Sequence, residues 1–98
     1  MAATSGQITV TTAGTAVQGT STAKYHGFMI KALSGNSGKV YVGNDGADDV
    51  TSANGFELSG GDQIYVEAKN LADLYFDAAS SGDKFCWIAS IEVKNVYP

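Results

Sequence analysis

The sequence predicts an all-β domain, an antiparallel β-sandwich of Greek-key or jelly-roll kind with about seven or eight short strands. Three observations predict it. Apolar residues recur at every second position in successive runs, the period that gives a strand one core face and one outer face. The runs are separated by glycine, serine, asparagine and aspartate, and twelve glycines stand against one proline, a composition suited to tight turns. No window sustains the roughly 3.6-residue period of an amphipathic helix. The same strand spacing would suit a closed barrel.

Residues 1–6 are small and polar and read as a flexible N-terminal arm, leaving 7–98 as a single β-sandwich domain. Residues 7–12 alternate, with Ile8 and Val10 inward and Gln7, Thr9 and Thr11 outward. A turn at 13–15 leads to a short returning strand at 16–18, then a Ser/Thr/Gly loop. The next strand, 26–33, places Phe28, Ile30 and Ala32 on one face and Met29, Lys31 and Leu33 on the other. After a turn at 34–38, residues 39–42 put Val40 and Val42 inward and Tyr41 outward.

An acidic loop, 44–49, separates this strand from a short run at 56–58. Residues 63–67 follow with Ile64 and Val66 inward, then 73–78 with Leu74 and Phe76 inward and Asp73, Tyr75 and Asp77 outward. Residues 80–83 read as a hairpin loop. Residues 85–91 are the most apolar run and read as a central strand buried on both sides, with 92–98 extending it or forming an arm. The expected core is Ile8, Val10, Phe28, Ile30, Val40, Val42, Phe56, Leu58, Ile64, Val66, Leu74, Phe76, Phe85 and Trp87.

Composition narrows the partners. Ten acids and six lysines give a formal charge of -4, and no arginine occurs. A nucleic-acid binder needs a basic stripe, with arginine as its preferred fork for phosphate, so nucleic acid is not an expected partner. The first residues lack the basic start and apolar run of a signal peptide, and no stretch approaches the roughly 20 apolar residues of a membrane span. Folding in the cytosol, with no membrane association, is the expectation. One cysteine cannot form an internal disulfide.

Candidate chemistry is sparse. Counted from Asp45, the acidic loop puts Ala47, Val50 and Phe56 where a calcium loop of EF-hand type needs an oxygen, a glycine and a glutamate. A solvated turn accounts for it better than an irregular calcium site built on Asp45, Asp48 and Asp49. His26 is the only histidine, and Cys86 lies between Phe85 and Trp87 with no basic neighbour to activate it. Asp73 and Asp77 read as solvated acids on one strand face. Neither a nucleophile motif nor a phosphate-binding glycine loop is present, so no enzyme activity, cofactor or metal is expected. The outward tyrosines, Tyr41, Tyr65 and Tyr75, suit a protein interface, a sugar-binding face, or simple cross-strand stacking.

Several segments occur together in a telling order. Ile30 to Leu33 ends a strand as I-x-A-L; Gly38 to Gly46 reads GKVYVGNDG; Asn54 to Leu58 reads NGFEL; a Gly/Asp turn follows at Gly60 to Asp62; Asn70 to Ala78 reads NLADLYFDA. Across roughly residues 7 to 89 this order resembles a family of small tailed-bacteriophage virion proteins. The resemblance implies a capsid decoration (cement) protein on the outer face of the head, with no active site. It implies contacts with the major capsid protein and a homo-oligomer, a trimer being favoured. The arm residues Ala2, Thr4 and Gly6, with Gln7, Tyr41, Tyr65 and Tyr75, are the candidate contact residues. A head–tail connector or tail structural protein, or a carbohydrate-binding adhesion module on the virion surface, are the alternatives.

Overall fold

Period-two alternation is realised as eight strands among the described residues. The computed structural model describes residues 3–21 and 27–90; Ala2, His26 and the C-terminal extension lie outside the described residues. The strands are β1 (Ala3–Thr9), β2 (Val17–Gln18), β3 (Gly27–Ala32) and β4 (Val40–Gly43). They continue as β5 (Phe56–Leu58), β6 (Gln63–Glu67), β7 (Tyr75–Ala78) and β8 (Lys84–Ser90). A single turn of 3-10 helix, Leu71–Asp73, precedes β7, its start capped by the Asn70 side chain.

Two four-stranded antiparallel sheets result. The first has the order β1-β8-β3-β6 and the second β2-β7-β4-β5. Of the connections between these strands, only β4–β5 stays within one sheet; every other one crosses to the opposite sheet. This is the two-sheet, eight-strand connectivity of a jelly roll.

The inward faces meet in a core whose largest fully buried members are Phe28, Phe76, Phe85, Ile30 and Leu71. Phe76 of the second sheet meets Phe85 of the first edge-on, with ring centroids 4.7 Å apart. Phe28 and Trp87 form a second edge-on pair at 6.3 Å. Both are geometries that aromatic quadrupoles favour. Gly6 lies opposite Trp87 in the β1–β8 register, and a Cβ there would stand 3.0 Å from the indole. Glycine at this position lets the indole lie against the β1 backbone.

Several expectations need correction. Residues 3–6 are not an arm but the first half of β1, paired from Ala3 opposite Ser90 to Gly6 opposite Trp87. Strand pairing is made by backbone groups, so the long β8 can template a polar segment that shows no apolar alternation. Residues 79–83 do not form a hairpin, because β7 and β8 belong to different sheets. The connection is an arch, and Asp83, buried at its end, accepts hydrogen bonds from the Ser37 and Gly38 amides at 2.9 Å each.

β8 is central, as expected, but only one of its faces is buried: Ile88 is 53% exposed and Cys86 half-buried. Phe56 leaves the core at 58% exposure, since the three-residue edge strand β5 has a neighbour on one side only. Tyr41 and Asp77, read as outward, are both buried. Asp77 Oδ1 accepts from the amides of Gly14 and Ala78, whereas Asp73 lies exposed in the 3-10 turn, so the two acids do not share a solvated face.

The contrast between Trp87 and Phe56 is measurable. Trp87→Ala is expected to lower unfolding free energy by about 3–5 kcal/mol. Phe56→Ala should stay within about 0.5 kcal/mol of the parent. Urea denaturation of both variants checks the assignment of the core.

Candidate interaction surface

Each sheet has an outer face, and the two faces are treated differently. On the second sheet, Tyr41, Asp77, Glu57 and Tyr75 point away from the core by register. The loop 44–55 folds back over this face and buries Val50 and Tyr41 outside the main core. Its approach is close: a Cβ on Gly55 would come within 2.7 Å of both Tyr41 and Val50. The turn at 12–15 covers a further part, through Gly14 donating to buried Asp77 at 2.9 Å.

The acids of that loop order the loop itself. Asp45 Oδ1 accepts from the Ala47 amide and Asp49 Oδ1 from the Val50 amide. Asn44 Oδ1 accepts from Gly46 and Asp48, and the Asp45 amide donates to the Asp49 carbonyl at 2.8 Å. These are the local side-chain turns in which Asn and Asp excel. No group of three or more His, Cys, Asp or Glu placed to hold a metal occurs among the described residues. The Tyr75 phenol is pushed above its usual pKa, first by burial and then by Asp48, Asp49 and Asp73. Nearby, the exposed Lys39–Glu57 pair at 2.8 Å raises the lysine pKa through its hydrogen bond and charge, an ion pair of small value in water.

The outer face of the first sheet carries no such cover among the described residues. Register aligns its side chains in rows across the four strands. One row runs Ser5, Ile88, Met29, Tyr65; the next runs Gln7, Cys86, Lys31, Gln63. An open concavity is lined by Ser5, Ile88 and Met29 of the first row, by all of the second, and by Gly6 and Trp87. Ile88 and Tyr65 are 53% and 59% exposed, and Met29 between them is half-buried. The Tyr65 ring leans diagonally over Gly27, where any Cβ would collide with the phenol. An aromatic laid over a glycine in this way fixes its own orientation along the sheet.

The sequence-predicted contact residues therefore separate. Gln7 and Tyr65 share the bare face of the first sheet; Thr4 and Gly6 have the opposite parity on β1; Tyr41 and Tyr75 belong to the second sheet. Ala2 lies outside the described residues. Ile88 and Met29, the apolar centre of the bare face, were not among the expected contact residues. Met29 carried a signal, its outward parity; Ile88 did not, because every position around it is apolar. No protein-family model, characterised protein or solved structure matches this chain.

Two outcomes follow from this geometry. Tyr41→Ala is expected to destabilise the fold by about 3 kcal/mol, whereas Tyr65→Ala should cost about 0.5 kcal/mol or less; equal losses would contradict the covered-versus-bare distinction. Millimolar calcium should leave the melting temperature unchanged, since the described residues bring no three acidic side chains together to hold an ion. A concentration-dependent rise would show a bound ion.

Proposed function

We propose that the protein is a structural part of a tailed-phage particle, a decoration protein seated on the outside of the capsid. It bridges neighbouring major capsid protein subunits and transforms nothing. The observation that carries this reading is the exposed Ile88–Met29–Tyr65 row on a sheet whose counterpart is roofed by its own loops. Exposed apolar patches rimmed by polar residues are a mark of protein-contact surfaces. Gln7, Lys31 and Gln63 supply the polar border.

A clamp of this kind acts mechanically. A shell packed with nucleic acid is under tension, and a rigid sandwich across a subunit boundary raises the work of separating its two sides. Many copies engaging at once make a modest affinity per copy sufficient. Jelly rolls recur in capsid and lectin proteins, which agrees with this reading by analogy alone. The exposed Tyr65 ring, flanked on its strand by Gln63 and Glu67, favours a second reading, a carbohydrate-binding module on the same particle.

Purified particles distinguish these readings. The clamp predicts a copy number comparable to that of the capsid subunits and a lower disruption temperature when the protein is absent. Ile88→Lys should keep the free protein folded yet reduce particle occupancy severalfold. An unchanged disruption temperature would overturn the clamp. A copy number fitting a single ring would move the protein to the connector or tail. A glycan-array signal lost in Tyr65→Ala would favour the sugar-binding module.

A further inference from the structure

Among the four sheet edges, β1 alone is long and left uncovered by the described residues. β2 has two residues and β5 three, and β6 carries Glu67. β1 runs for seven residues, ATSGQIT, with no charge and no proline, and pairs with β8 in unbroken register. Folded proteins normally blunt such an edge with short length, charge, proline or a bulge.

The direction of its free backbone groups can be read from its neighbours. The Val10 amide donates to the Asp83 carbonyl at 2.9 Å, and the Val10 carbonyl accepts from Gly82 at 2.8 Å. On the other side of β8, the Leu33 amide donates to the Lys84 carbonyl. Backbone groups alternate along an antiparallel strand. Lys84, Cys86 and Ile88 therefore bond towards β3, and Phe85, Trp87 and Ala89 towards β1. On β1 the even-numbered residues face β8. The amides and carbonyls of Ser5, Gln7 and Thr9 point away from the sheet, without a strand partner among the described residues.

We propose that β1 pairs antiparallel with β1 of a second copy of this chain, about a two-fold axis at Gly6, joining two four-stranded sheets into one continuous sheet. The strand is self-complementary in that register. Ser5 of either copy stands opposite Gln7 of the other, so the outward backbone groups bond to one another and two polar side chains meet on the outer face. Thr4 stands opposite Ile8, a pair of β-branched residues on the inner face. Gly6 meets Gly6 at a non-hydrogen-bonded position, where chains approach most closely and no side chain intervenes. The strand carries no charge to repel its copy, although the chain as a whole is at -4. The bare rows of the two copies also become continuous across the axis. Beneath Gly6 lies Trp87 Nε1, the one buried side-chain polar atom without a hydrogen-bond partner among the described residues, placed to report on the contact. The pairing stands apart from the particle reading and replaces the trimer that the resemblance implies with a two-fold assembly.

Sedimentation of the free protein from about 10 μM to about 1 mM tests it. The expected result is a concentration-dependent species of twice 10.1 kDa, with the indole N–H resonance of the single tryptophan shifting over the same range. Ser5→Pro removes an amide that points outward, a position where an edge strand accepts proline. It should leave the melting temperature unchanged and weaken dimerisation at least about tenfold. If Ser5→Pro is destabilised, Gln7→Pro, with the same outward amide, replaces it. A wild-type protein that stays monomeric or forms trimers would overturn the proposal. So would a dimer that survives both prolines, or unfolding of both variants, which would place these amides in bonds within the chain.

Discussion

Phe76 and Phe85 meet edge-on across the gap between the sheets, 4.7 Å between centroids, on strands joined by the short arch at 79–83. The contact fixes which face of each sheet is inward. Once Phe85 points in, the period of two sends Trp87 and Ala89 in with it and Cys86 and Ile88 out. Register then carries the choice to β3 and β1, where Phe28, Ile30 and Ile8 follow. The Asp83 carboxylate, binding two amides of the 34–38 turn, holds the arch against that turn. A one-residue slip of β8 would put Cys86 and Ile88 in the core and strand the aromatics outside.

With one face of each sheet committed to the core, the outer faces decide how the molecule meets its surroundings. The second sheet closes itself off with a loop that contributes Val50 and is braced by its own Asn and Asp side chains. The first sheet leaves an apolar strip and a long, uncharged edge in water. Both features lower the solubility of a lone monomer, and both have a ready explanation if the sheet is covered in an assembly. The two meet at β1, where Ser5 and Gln7 turn their side chains to the face and their backbone groups to the edge.

Much of the sandwich was legible in the sequence because alternation is a direct consequence of strand geometry. Phe28, Ile30 and Ala32 could be placed inward by parity alone, and all three are fully buried. Parity fails where it meets long-range contacts. Tyr41 has outward parity but is covered by a loop folding back from residues 44–55, and Asp77 is covered through Gly14, sixty-three positions away. Phe56 has inward parity but sits on an edge. Residues 3–6 show no alternation, because their place in the sheet rests on backbone bonds to β8. At the candidate surface, Gln7 and Tyr65 were legible from parity. Ile88 was not, since a uniformly apolar run cannot reveal which of its faces lacks a covering layer.

Oxidative footprinting of the protein, free and bound to the proposed phage particle, tests the central claim most directly, because oxidation of a side chain follows its exposure. The account predicts that Met29, Cys86 and Tyr65 lose reactivity on assembly while Phe56, on the second sheet, keeps it. Protection of Phe56 with Met29 and Tyr65 still reactive would place the contact on the wrong sheet and contradict the account.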